Sequence, residues 1–297
     1  MDRFEFVVES TVCRADLYLP VGGRSPHPVT VVGPGFGGTK EVLYPPYCRD
    51  LADHGIAVVA IDYPGFGDSD GTPRQHIDPP HQARALSAAI DAVANDPRFA
   101  ADRIGVWGSS LGGGHALVMA ARHPRVAAAC ALVPFIRYRP SWPPRLDLGA
   151  EIVRDLIARM LGRPARHVPV AGPSGSLAAM ATDGALEWMT DMASPATTFV
   201  NSVTSASLVN MLRWSTAADA ARVRVPLRVV LATDDSITPA AMVRRALRRV
   251  DGVDYVEFPN THFEVFTDHA DEVRHSLVSW FVRTLLDPPS TRSRNPS

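Results

Sequence analysis

Hydrophobic positions along the chain follow two rhythms. Across residues 4–8 and again across 11–19, apolar and polar residues alternate, which predicts an opening antiparallel pair of strands. The alternation then gives way to short, continuous apolar runs at 29–32, 58–62, 104–107, 127–133, 227–233 and 255–258. Stretches with helical periodicity separate them, at 46–54, 82–94, 111–122, 239–250 and 271–286. Strands that are apolar throughout are buried on both faces, and strands that alternate with helices pair in parallel. The pattern therefore predicts an α/β fold, a mostly parallel sheet with helices on both faces. Ligands of such sheets bind beyond the carboxyl ends of the strands, so the loops that follow the runs are the places to seek chemistry.

One segment breaks the rhythm. Residues 135–223 contain no convincing strand, only helical pieces at 148–161 and 186–192 amid proline and glycine. The chain is thus expected to divide into a first part of the core (1–134), a helical lid insertion (135–223), a second part of the core (224–286) and a polar, proline-rich, disordered tail (287–297). Three of the five tryptophans and five of the eight methionines fall in the insertion, enough apolar bulk to line a pocket. Trp142, Trp188, Met189 and Trp214 are the candidate substrate-binding residues. The plainer alternative is that they only fasten the lid to the core.

Composition narrows the partners. With 46% hydrophobic and 21% charged residues and a net charge of −1, the chain has the make-up of an ordinary soluble domain. Nothing in its charge balance calls for nucleic acid or an anionic membrane. Cys13, Cys48 and Cys130 show neither a disulfide framework nor metal-ligand spacing, and no cofactor is implied. Residues 1–5 do not form a basic-then-apolar leader, and no apolar stretch approaches membrane-spanning length. The cytoplasm is the expected compartment.

The densest chemical signal is Gly108-Ser109-Ser110-Leu111-Gly112, between the apolar run at 104–107 and the helical stretch at 111–122. This is G-x-S-x-G in a strand–turn–helix setting, the context of a nucleophile elbow. Only Ser110 has glycine two positions before and two after it, so Ser110 rather than Ser109 is the candidate nucleophile. A serine hydroxyl needs an adjacent base that is itself oriented, and the chain order on this fold is Ser, then Asp or Glu, then His. After the 227–233 run comes Asp234-Asp235-Ser236-Ile237-Thr238-Pro239, and after the 255–258 run comes Pro259-Asn260-Thr261-His262. His262 is the candidate base, Asp235 the preferred acid and Asp234 the runner-up. An oxyanion would be received by the N–H of Leu111 and by that of Phe36, in the glycine-rich loop Gly33-Pro34-Gly35-Phe36-Gly37-Gly38. These glycines do not form a phosphate-binding loop, because no Lys-Ser/Thr pair follows at the required spacing.

With these motifs the chain resembles the serine α/β-hydrolases from about residue 4 to 286. It is most similar to the polyketide transferase and thiohydrolase group in Gly38-Thr39-Lys40-Glu41, Ser69-Asp70-Gly71-Thr72-Pro73-Arg74-Gln75 with Ile77-Asp78, Gly113-Gly114-His115 and Asn201. Of these, Arg74, Gln75 and Asp78 are expected to be framework. The resemblance implies acyl transfer from an ester or thioester, carried as a small molecule or on a polyketide synthase carrier domain, to water or an alcohol. One departure stands out: members of the group carry His-Gly before the oxyanion residue, where this chain has Pro34-Gly35. Epoxide hydrolases and dehalogenases of the same fold place a carboxylate at the elbow, which Ser110 excludes. An esterase or aminopeptidase-like hydrolase is the alternative. The latter needs an acidic anchor for an amine, and Glu151, Asp155, Asp183, Glu187 and Asp191 do not single one out. A non-hydrolytic binding or carrier-docking protein is the alternative from another class.

Overall fold

An eight-stranded sheet forms the backbone of the molecule, in a computed structural model that describes residues 2–22, 25–138 and 145–286. The opening strands β1 (Asp2–Val8) and β2 (Thr11–Tyr18) pair antiparallel, and Phe4, Phe6 and Val8 turn inward at every second position. The chain then alternates through β3 (His27–Gly33), α1 (Pro45–Asp53), β4 (Ala57–Ile61), α2 (Pro79–Ala94), β5 (Phe99–Ser109), α3 (Leu111–Arg122) and β6 (Val126–Leu132). After an insertion it resumes with β9 (Leu227–Ala232), α8 (Ala240–Leu247), β10 (Asp254–Phe258) and α9 (Ala270–Phe281), which ends in a π-turn at Val282–Leu286. The order across the sheet is β1-β2-β4-β3-β5-β6-β9-β10, antiparallel at β1/β2 and β2/β4 and parallel elsewhere.

Both faces are covered, as the continuous apolar runs require. Val59 and Ile61 of β4, Val106 of β5 and Val229 of β9 pack with Leu86 and Ile90 of α2, Leu117 of α3 and Leu247 of α8. The alternate positions Val58, Trp107, Cys130 and Val230 pack on the other face with Leu51 of α1 and Phe281 of α9. All three cysteines are buried and free. Among the described residues, no helix is long and apolar enough to cross a membrane.

The insertion holds more than the two expected helices. It contains α4 (Leu146–Met160), a two-residue ladder of β7 (His167–Val168) with β8 (Val203–Thr204), α5 (Ala185–Ala193), α6 (Ser207–Arg213) and α7 (Ala217–Ala220). Strands of two residues leave no periodicity to read. The expected tail, 287–297, lies outside the described residues.

The motif residues of the loops prove to be fasteners. Lys40 is buried with Nζ 2.7 Å from Asp62 Oδ2 and 2.8 Å from Asp68 Oδ2, while its amide donates to Asp62 Oδ1 at 2.8 Å. This ion group ties the loop after β3 to the loop after β4. The next residue, Glu41, reaches the insertion and accepts from the amides and hydroxyls of both Thr197 and Thr198 at 2.7–2.9 Å. Arg74 donates to the carbonyls of Gly67 and Ser69, Asp78 caps α2 through the His81 amide, and Gln75 O accepts from Thr204 N at 2.9 Å. Asn201 brackets the Ala171 peptide with two bonds of 2.9 Å inside the insertion.

Two outcomes follow from these fasteners. Replacing Lys40 by Met leaves the Asp62 carboxylate buried without its counter-charge. The expected loss is about 3–5 kcal/mol in urea unfolding, the range for breaking a buried ion pair from one side. Burial raises the Glu41 carboxyl, but the four bonds from Thr198 and Thr197 outweigh it and hold it below the ordinary 4.5. A lowered carboxyl contributes stability that is complete above its unfolded value and fades as pH falls through the folded one. The stability difference between wild type and Glu41→Gln should therefore be constant above about pH 6 and shrink below about pH 4, as read from urea midpoints across pH.

Candidate active site

The turn between β5 and α3 is strained where the sequence motif requires it. Ser110 has φ 51° and ψ −116°, a region that non-glycine residues enter only when surroundings impose it, at about 1–3 kcal/mol. Its amide donates to Leu132 O at 2.9 Å, and its carbonyl accepts from Phe135 N at 2.8 Å and Gly114 N at 3.0 Å. A side chain at position 112 would bring Cβ to 2.0 Å from Gly33 O, and one at 108 to 2.6 Å from the same oxygen. Glycine at both positions lets the elbow sit directly on the end of β3.

The two later loops meet beside it. His262, on the loop after β10, has Nδ1 2.6 Å from Asp235 Oδ2, on the loop after β9. Asp235 Oδ1 accepts from the amides of Ile237 and Thr238 at 2.7 Å each, and the Thr238 hydroxyl lies 2.7 Å from Oδ2 and 3.0 Å from Val133 O. Burial pushes the Asp235 carboxyl upward, yet the His262 imidazole and the Thr238 bonds outweigh it and leave it below the usual range. Asp235 is thus an ionised acceptor held on three sides, suited to fix the Nδ1–H tautomer and free Nε2 for proton transfer. The neighbouring Asp234 is exposed and contributes its amide, which donates to Asn260 O at 3.1 Å and ties the two loops together.

Ser110 and His262 line one cavity of about 40 Å³ together with Phe36 and Tyr44. Its other walls are apolar, with Met180, Trp188 and Met189 from the insertion and Phe263 and Phe266 from the His262 side. Trp188 packs on both phenylalanines, with ring centroids at 5.3 and 6.1 Å. Among the described residues, no hydrogen bond within the chain uses the Phe36 or the Leu111 amide, so both remain available to a ligand.

Not every candidate arrives there. The structure places Trp214 away from the cavity lining, with its ring 5.8 Å from His115 on α3, because the turn after α6 brings it down on the core. Trp142 lies outside the described residues. Glu151 and Asp155 are buried and paired, the first with Arg154 and Arg166, the second with Arg159 and the amides of Arg166 and Ala206. None of the acidic insertion residues reaches the cavity.

Two residues escaped sequence reasoning. Thr238 was visible only as part of the run after Asp235, although a hydroxyl three residues after a loop carboxylate is a common turn-bracing signal. Tyr44 gave one weak sign, a polar aromatic before Pro45-Pro46 in the loop that follows Phe36.

Comparison with known proteins bears on the family and the fold. The sequence profile of the serine aminopeptidase family, S33, matches residues 24–269. A quorum-quenching protein of Acinetobacter baumannii, AidA, is 28% identical over 275 residues, 90% of each chain. A thiohydrolase of Aspergillus aculeatus is 31% identical over 160 residues, about half of each chain (53% and 49%). The crystal structure of the α/β-hydrolase GrgF from a Penicillium species superposes with a TM-score of 0.81 at 23% identity, covering 96% of this chain and 99% of that one. The fold is the α/β-hydrolase fold.

If Asp235 rather than Asp234 supports the imidazole, Asp235→Asn should slow ester turnover by about 10³–10⁴-fold, as loss of the correct tautomer does in such sites. Asp234→Asn should stay within about twofold, since its side chain is free in solvent. Steady-state kinetics of the two variants side by side check this.

Proposed function

The chain belongs to the serine aminopeptidase family, S33, of the α/β-hydrolases, and from that premise we propose a serine hydrolase or acyltransferase that works through an acyl-enzyme on an ester or thioester. One observation carries the reading: the 2.6 Å contact of the buried Asp235 with His262, which lines one cavity with the strained Ser110. Ser110 Oγ attacks the acyl carbonyl while His262 Nε2 takes its proton, and the oxygen gains its negative charge beside the Phe36 and Leu111 amides. Collapse of the tetrahedral adduct expels the alcohol or thiol, which leaves with the proton from His262. Water or a second hydroxyl then repeats the sequence on the acyl-serine and returns Ser110.

The apolar walls formed by Met180, Trp188, Met189, Phe263 and Phe266 favour an apolar acyl group over a charged one. A thioester of a natural-product acyl group, presented on a carrier domain, is the substrate proposed, and its thioester bond accords with the relative named a thiohydrolase. Aminopeptidase action is the second reading that the family name raises. Against it, none of the described residues lining the cavity is acidic, which leaves a substrate ammonium without a partner.

Replacement of Ser110 by Ala should reduce hydrolysis of short acyl esters and thioesters by at least about 10⁴-fold while circular dichroism and thermal unfolding stay as in wild type. Activity that survives this change contradicts the mechanism.

A further inference from the structure

Resting on the serine-hydrolase reading, the loop that carries Phe36 raises a question of support. Pro34 opens that loop, and its ring offers no hydrogen bond to brace it. The brace comes from elsewhere. The Gly35 amide donates to Tyr44 Oη at 2.9 Å, and that oxygen lies 2.7 Å from Ser109 Oγ. On the other side of the same residue, Gly35 O accepts from Gly38 N at 3.2 Å. A trans peptide is planar, so fixing the Gly35 carbonyl also fixes the Phe36 N–H, which faces the opposite way. That N–H has no acceptor within the described chain.

Tyr44 is itself held without freedom to drift. Leu43 before it takes φ 75°, a left-handed backbone rare for leucine, and Pro45 after it opens α1. Its ring packs edge-on against Trp107 at 5.7 Å, and the residue is 2% exposed. Burial pushes the phenol up to about 12, so it stays neutral and protonated. The two groups it joins, the Gly35 N–H and the Ser109 hydroxyl, belong to different loops: Gly35 precedes Phe36, and Ser109 precedes Ser110 and Leu111.

We propose that Tyr44 is the positioning residue of the oxyanion site, its hydroxyl holding the Phe36 amide in register with the Leu111 amide by bridging Gly35 N–H and Ser109 Oγ. It acts through the backbone, from ten residues downstream of Pro34, whose ring cannot make such a bond.

The test compares wild type, Tyr44→Phe, Ser109→Ala and the double variant, using a fluorophosphonate probe and a short acyl ester. Phenylalanine keeps the ring packing and removes only the hydroxyl, and Ser109→Ala removes the same bridge from its other end should Tyr44→Phe fold poorly. Each single variant is expected to lower kcat and the rate of Ser110 labelling by about 10–100-fold, with KM within about twofold and unchanged thermal unfolding. The double variant should lose no more than the worse single, since both cut one interaction. Labelling of Tyr44→Phe at the wild-type rate overturns the inference, as does a loss that appears in KM and thermal stability rather than in kcat. A wild-type chain that takes up no probe overturns the hydrolase reading, and this inference with it.

Discussion

Backbone-on-backbone contact between the elbow and the end of β3 is the constraint on which the rest of the site depends. Gly112 and Gly108 lie so close to Gly33 O that a methyl group at either position would overlap it. That closeness brings Ser110 and Phe36, from two different strands' loops, to the lining of one cavity. The strain at Ser110 is held by three backbone bonds to Leu132, Gly114 and Phe135, and the end of β6 therefore supports Ser110 as directly as β5 does. Catalytic geometry on this fold is a property of the sheet edge, with side chains added last.

How much of this was legible beforehand depended on whether a local pattern carried it. The strand–helix alternation gave the sheet and its two faces, because buried parallel strands must be apolar throughout. Ser110, Asp235 and His262 were legible because each lies just past a strand, in an order the fold imposes. Residues that act through distant contacts were not. Nothing near Tyr44 in sequence announces Ser109, 65 residues away, as its partner. The choice between Asp234 and Asp235 needed the turn itself, where two amides and the Thr238 hydroxyl converge on one carboxylate.

The insertion was the least legible part, for a physical reason. In α4 the usual pattern is reversed: Glu151 and Asp155 face inward to arginines and amides, while Val153, Ile157 and Met160 are exposed. A buried acid is tolerable only when bonded on all sides, and Asp155 is, through two amides and Arg159. Periodicity marks such a helix but assigns its apolar stripe to the wrong environment. Apolar bulk in the insertion supplies pocket walls only in part. Met180, Trp188 and Met189 reach the cavity, whereas Trp214 is spent on the core beside His115.

The run from Gly38 to Glu41 shows how the insertion and the site are joined. Lys40 locks its loop to Asp62 and Asp68, and one residue later Glu41 takes four bonds from Thr197 and Thr198. Both anchors lie on the segment that runs from Phe36 to Tyr44. A shift of the insertion is therefore transmitted to the loop bearing the Phe36 amide, and that loop resists it through the buried ion group on one side and the Tyr44 hydroxyl on the other. Covering the cavity and holding the Phe36 loop are in this way one mechanical problem, met by Lys40, Glu41 and a tyrosine.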